Sequence, residues 1–162
     1  MVDVPSATEA IDCTGCIVAP GFVDLDVTLG DPGEAWREGL SSGSKIAAAG
    51  GFTTIVINPR TDPVIDLPAV VSELIPRAAS APGARVKIGG ALTRGLTGEN
   101  LSEVGLLIEA GCVLLSDGGQ VMSDTRILRR VLEYAAPMGV PVMLRPGNVA
   151  LEEGGFMHEG RI

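Results

Sequence analysis

The carboxylates of Asp24, Asp26, Asp31 and Asp117, with the hydroxyl of Thr28, are the side chains here whose types suit a hard divalent ion. Magnesium and manganese take oxygen donors of this kind. Asp24, Asp26 and Thr28 stand at alternate positions, and a period of two puts them on one face of a strand. Arg60 and Arg145 suit the opposite partner, since two guanidinium groups can form a cationic pocket for a carboxylate or phosphate. A plainer arrangement turns the same residues on each other, as salt bridges from Arg60 and Arg145 to Asp26 and Asp117. Cys13 and Cys16 have the C-x-x-C spacing of metal and redox sites, but a structural zinc takes about four ligands. Only Cys112 and a single histidine, His158, remain to supply them. The two cysteines therefore read as small residues flanking a turn, and His158, beside Glu159 in a Gly-rich tail, as a solvated side chain.

The elements that must carry these residues follow from the apolar pattern. In the stretch Gly21 to Gly33, Val23, Leu25, Val27 and Leu29 alternate with the polar residues, so one face of this strand should be buried and the other free to line a site. Pro20-Gly21 and Asp31-Pro32-Gly33 bound it. Glu34 to Ala49 predicts a helix with Trp36, Leu40 and Ile46 as its larger apolar residues, ended by Gly50-Gly51. Phe52 to Ile57 reads as a buried strand. Pro68 opens a second helix with an apolar stripe of Val70, Val71, Leu74 and Ile75, which Pro76 should kink or end early. Val86 to Leu92 predicts a third strand, Leu101 to Ile108 a helix before Gly111, and Cys112 to Leu115 a fourth strand. Ser123 is the expected N-cap of a helix that buries Ile127, Leu128, Val131, Leu132 and Ala135. Val140 to Leu144 is the fifth strand.

Strands separated by single helices make a repeated βα unit and hence a parallel sheet. Pattern alone leaves an open doubly wound sheet and a section of a (β/α)8 barrel as closures, and a full barrel takes about 250 residues. No G-x-G-x-x-G or P-loop sequence follows a strand, so no dinucleotide or nucleoside triphosphate cradle is visible. The length of 162 residues, 46% of them hydrophobic, suits one domain with a real core. No apolar run is long enough for a membrane span or a secretory signal. A net charge of -8, with only Lys45 and Lys87 as lysines, argues against nucleic acid or an anionic membrane as partner. Three cysteines give no disulfide framework and fit a reducing, cytoplasmic compartment.

The stretch GFVDLDVTLGDPG, preceded by Pro20, resembles the first barrel strand of dihydroorotases and related cyclic amidohydrolases, whose pattern is PGF(I/V)DLHVHLREPG. The resemblance continues in order and spacing through Glu38, Gly43 and Ala47 to Thr54, through Pro59 to Asp66 (PRTDPVID against PNTNPVID), and through Arg94 to Leu101, Ser116 to Gly119 and Leu151 to Gly160. It implies an α/β fold of the (β/α)8 amidohydrolase type, of which the sequence holds the first five βα units as residues 16–162. Residues 1–15 would then be the remnant of a small β-domain or a linker. Five unclosed parallel strands leave two edges exposed, so the chain is expected to be oligomeric or part of a longer one.

The resemblance also marks what has changed. The family's two metal-binding histidines are Asp26 and Thr28, its substrate-binding arginine is Gly30, and its substrate-contacting asparagine is Arg60. Its SDDG acidic pair keeps Asp117 but has Gly118, and a further histidine aligns with Arg145. A further metal histidine and the catalytic aspartate belong to later strands. Zinc-assisted hydrolysis needs the metal to activate water and polarise the scissile carbonyl, so loss of its ligands removes both effects. The expectation is a chain with no cofactor and no catalytic residues, a degenerate dihydroorotase that acts as structural partner of aspartate carbamoyltransferase in pyrimidine biosynthesis. The alternatives are a metal-dependent cyclic amide hydrolase with a rebuilt oxygen-ligand site, in which Asp24 is otherwise a frame residue, and an anion-binding module using Arg60 and Arg145.

Overall fold

The computed structural model describes residues 11–152 and Gly155. His158, most of the 151–160 match and most of the 1–15 segment lie outside them. Five strands, β1 (Phe22–Val27), β2 (Phe52–Ile57), β3 (Arg85–Ala91), β4 (Cys112–Ser116) and β5 (Val142–Met143), form one parallel sheet in sequential order. The sheet curls into half a barrel, with α1 (Leu40–Ala49) on β2, α2 (Pro68–Ala79) on β3 and α3 (Val104–Ala110) on β4. Sequential parallel order is what right-handed βα repeats produce. A fourth helix, α4 (Thr125–Ala135), leads to β5, and a single turn, α5 (Val149–Glu152), follows it.

The core lies between sheet and helices. Ile55 and Ile57 of β2 and Ile88 of β3 meet Val71 and Leu74 of α2 and Leu107 of α3. A smaller cluster joins Leu92 and Leu115 to Val104, Val131 and Ala135. The β-branched run of β2 is buried at its C-terminal half, as a strand covered on both faces requires.

Several local expectations are corrected. The register of β1 on β2 shifts between Asp24 and Val27, and β1 has no strand beyond it among the described residues. Leu29 is buried and Val27 packs on the core, but Val23 and Leu25 remain 57% and 50% exposed. The first helix begins at Leu40, not Glu34: Trp36 lies in the preceding loop at 82% exposure, Ile46 also faces outward, and only Leu40 of the three is buried. The Ser42 hydroxyl accepts a hydrogen bond from the Gly39 N–H at 3.1 Å and so starts α1 there. Pro76 does not end α2, which runs on to Ala79. An interior proline costs about 3 kcal/mol, and burial of Leu74 and Ala78 on either side offsets it.

Elsewhere, α3 begins only at Val104, because Leu101 is held in an antiparallel bridge with Thr93. Asp124, not Ser123, caps α4, its carboxylate accepting from the Arg126 N–H at 2.8 Å. On that helix Val131 and Ala135 are buried as expected, while Leu132 stays exposed. The fifth strand is shorter than Val140 to Leu144.

Candidate functional site

Every strand ends on the same side of a parallel sheet, and the residues singled out by type fall just past those ends: Thr28 after β1, Arg60 after β2, Asp117 and Gly118 after β4, and Arg145 after β5. This is the side on which α/β folds place their chemistry. Thr28, Gly30 and Arg60 come together in a cleft of about 480 Å³, which Glu34, Glu38 and Asp62 also line. Asp26, Asp117 and Arg145 are not among its walls.

Most of the polar groups are bound to other parts of the frame. Asn58, buried at the end of β2, donates from Nδ2 to Thr28 Oγ1 at 2.8 Å and accepts at Oδ1 from the Arg60 N–H at 3.1 Å. Its own N–H donates to the Val27 carbonyl at 2.9 Å, so Asn58 ties the ends of β1 and β2 together. Asp24 accepts from the Asp26 N–H at 3.0 Å, while the Asp26 carboxylate is exposed and meets no hydrogen-bond donor among the described residues. Buried Asp31 is held by Arg77 of α2, whose Nη2 lies 2.6 and 2.5 Å from the two carboxylate oxygens. Asp31 Oδ2 also sits 3.5 Å from the Leu40 N–H at the start of α1.

Asp117 is buried and accepts from the Thr93 N–H at 2.8 Å and the Thr93 hydroxyl at 2.7 Å. Burial raises its pKa above the ordinary aspartate range, and the two hydrogen bonds from Thr93 oppose that rise. Arg145 pairs with Glu152 at 3.3 Å. The expected bridges from Arg60 and Arg145 to Asp26 and Asp117 are therefore not formed. Nor do the two arginines share a pocket: Arg60 makes no ion pair among the described residues and lies in a cleft with Glu34, Glu38, Asp62 and a second arginine, Arg37, which pairs with Glu34 at 2.8 Å.

The donors suited to a metal are mostly engaged elsewhere. Thr28 offers a neutral hydroxyl already bonded to Asn58, and Asp31 and Asp117 are held by Arg77 and Thr93, which leaves Asp26 as an exposed carboxylate. The proposed oxygen set of Asp24, Asp26, Asp31, Asp117 and Thr28 is dispersed in the same way, with Asp31 turned to α2 and Asp117 to the end of β3.

Gly30 explains why an arginine is not simply missing there. A Cβ on residue 30 would collide with the Glu34 carbonyl, so the loop that follows β1 closes over a position where only glycine fits. Asn58, Thr93 and Arg77, which organise this end of the sheet, escaped the sequence reading. Asn58 and Thr93 do carry a signal, as short polar residues immediately after apolar strands. Arg77 carries none, because its partner is 46 positions away.

A family model described as Dihydro-orotase-like matches residues 15–161. The chain belongs to the dihydroorotase-like family. It is 45% identical over 159 residues to the dihydroorotase of Geobacter metallireducens, covering 98% of this chain and 38% of that protein. It is 43% identical over 159 residues to the dihydroorotase of Anaeromyxobacter sp. (strain K), covering 98% of this chain and 37% of the relative. The chain thus spans less than two fifths of the curated dihydroorotases it matches. Its fold is similar to that of the L-hydantoinase (dihydropyrimidinase) from Arthrobacter aurescens, with a TM-score of 0.70 at 23% identity over 94% of this chain and 34% of the hydantoinase. No helix among the described residues is long and apolar enough to cross a membrane.

Proposed function

We propose that this chain is a non-catalytic dihydroorotase homologue that serves pyrimidine biosynthesis as a structural partner of aspartate carbamoyltransferase. The observation that supports it most directly is at the end of β1. Where the family motif has two imidazoles, Asp26 is an exposed carboxylate and the Thr28 hydroxyl is bonded to Asn58 Nδ2. Imidazole pairs at i and i+2 bind zinc through nitrogen, and an alcohol tied to an amide offers no equivalent. Partnership with aspartate carbamoyltransferase rests on the resemblance to degenerate dihydroorotase chains that assemble with that enzyme. In this reading the retained half-barrel is a surface for assembly.

The test is a dihydroorotase assay on the purified chain with zinc or manganese added, alone and mixed with the aspartate carbamoyltransferase of the same organism, followed by size-exclusion chromatography of the mixture. No ring opening in either case and a co-eluting complex are the expected results. Metal-dependent turnover by the isolated chain would sink the non-catalytic reading, and separate elution would sink the partnership.

A further inference from the structure

Cys13 and Cys16 stand at the two ends of one tight turn. The Cys16 N–H donates to the Cys13 carbonyl at 2.9 Å, and Gly15 between them takes φ +79, the left-handed conformation that a type II turn requires at its third residue. Asp12 braces the turn from outside, accepting from the Thr14 N–H at 2.9 Å and from the Thr14 hydroxyl at 2.7 Å. Both thiols are exposed and free, whereas Cys112 is buried on β4.

We propose that Cys13 and Cys16 form a reversible dithiol–disulfide pair that closes by exchange with low-molecular-weight disulfides. The first and fourth residues of a hydrogen-bonded turn have Cα atoms less than about 7 Å apart, and a disulfide spans about 4.4 to 6.8 Å. Turn geometry thus places the two Cα atoms within the span that a disulfide bridges. Closure runs in two steps. One thiolate attacks a sulfur of the small disulfide and expels one small thiolate, leaving a mixed disulfide on the protein. The second thiolate then attacks the protein sulfur and expels the other small thiolate. Two electrons pass from the protein pair to the small disulfide, one S–S bond replaces another, and the two thiol protons end on the released thiols. An excess of small thiol reverses both steps.

The experiment equilibrates the full chain in buffers of reduced and oxidised glutathione, quenches with acid and reads mass and alkylation sites. The expected product has lost two hydrogen atoms, is blocked to alkylation at Cys13 and Cys16, and keeps Cys112 as a thiol. Cys13→Ser and Cys16→Ser should each give a glutathione adduct on the remaining cysteine instead. At a fixed glutathione ratio the fraction closed should fall several-fold in concentrated urea, where the turn is lost. Glutathione adducts at Cys13 and Cys16 without closure of the folded chain would overturn the proposal. So would closure that is as favourable in urea as in buffer, since the turn would then contribute nothing.

Discussion

Arg60 runs across Gly118: a Cβ built on residue 118 would lie 3.1 Å from Arg60 Cβ, 3.4 Å from Cδ and 3.5 Å from Cγ. Both positions are singled out by the resemblance read from the sequence, and in the fold they are neighbours. The side chain after β2 lies against a position after β4 that has none. Gly118 also has φ +60, where a side chain adds strain. Gly118→Asp, which restores the family's second carboxylate, should therefore cost about 1–2 kcal/mol of stability. Adding Arg60→Asn removes only the Cδ contact, since asparagine keeps Cβ and Cγ, and should return no more than about 0.5 kcal/mol of it. Urea denaturation of both single variants and the double variant measures this, and strict additivity would show that the contact carries no energy.

Gly30 allows a sharper test because the obstacle is backbone. A methyl group there already meets the Glu34 carbonyl, so Gly30→Ala should destabilise by about 1–3 kcal/mol, the usual range for overpacking. Gly30→Arg should do no better, and restoring the motif's arginine should restore no substrate affinity. A Gly30→Ala variant as stable as the parent in urea would mean that the loop from Gly30 to Glu34 relaxes freely.

The Asp31–Arg77 pair anchors the loop after β1 to α2. Asp31 is 4% exposed, and the Arg77 side chain is 42% exposed, so solvent screens one partner and not the other. Removing the cation leaves a buried carboxylate with little beyond the distant Leu40 N–H. Arg77→Met should cost about 2–3 kcal/mol, below the range for fully buried pairs because Arg77 is partly solvated. In an Asp31→Asn background the same change should cost clearly less. Equal costs in the two backgrounds, read from urea midpoints, would remove the pair from the account of this loop.

How much of this was legible beforehand divides along physical lines. The five strands and their parallel order were readable because β-branched runs bounded by glycine and proline are local signals, and the linked motifs pointed to a barrel. Burial of β1 was misread, because alternation reports which residues share a face and not whether another layer covers it; Val23 and Leu25 are half-exposed. Pro76 misled in the same way, since local propensity loses to the burial of Leu74 and Ala78. The pairings at the site were the least visible. Asp31 with Arg77, Thr28 with Asn58 and Thr93 with Asp117 join residues 46, 30 and 24 positions apart, and no local pattern encodes them.

Asp117 ties the end of β4 to pH. Burial makes its carboxyl hold a proton more tightly in the folded chain than in the unfolded one, despite the two hydrogen bonds from Thr93. Between the ordinary aspartate pKa of about 3.9 and the raised folded value, the folded state therefore binds more protons, and stability falls as pH rises through that window. Below it the contribution is fully present; above it the contribution is gone. Each tenfold difference in proton affinity is worth about 1.4 kcal/mol. Asp117→Asn removes the titration while keeping an acceptor for the Thr93 N–H. The stability of the parent minus that of the variant, followed by urea denaturation from acid to neutral pH, should decline with rising pH and then level off. A difference that is flat, or that grows with pH, would mean that the Thr93 hydrogen bonds outweigh burial and that Asp117 is held in its charged form.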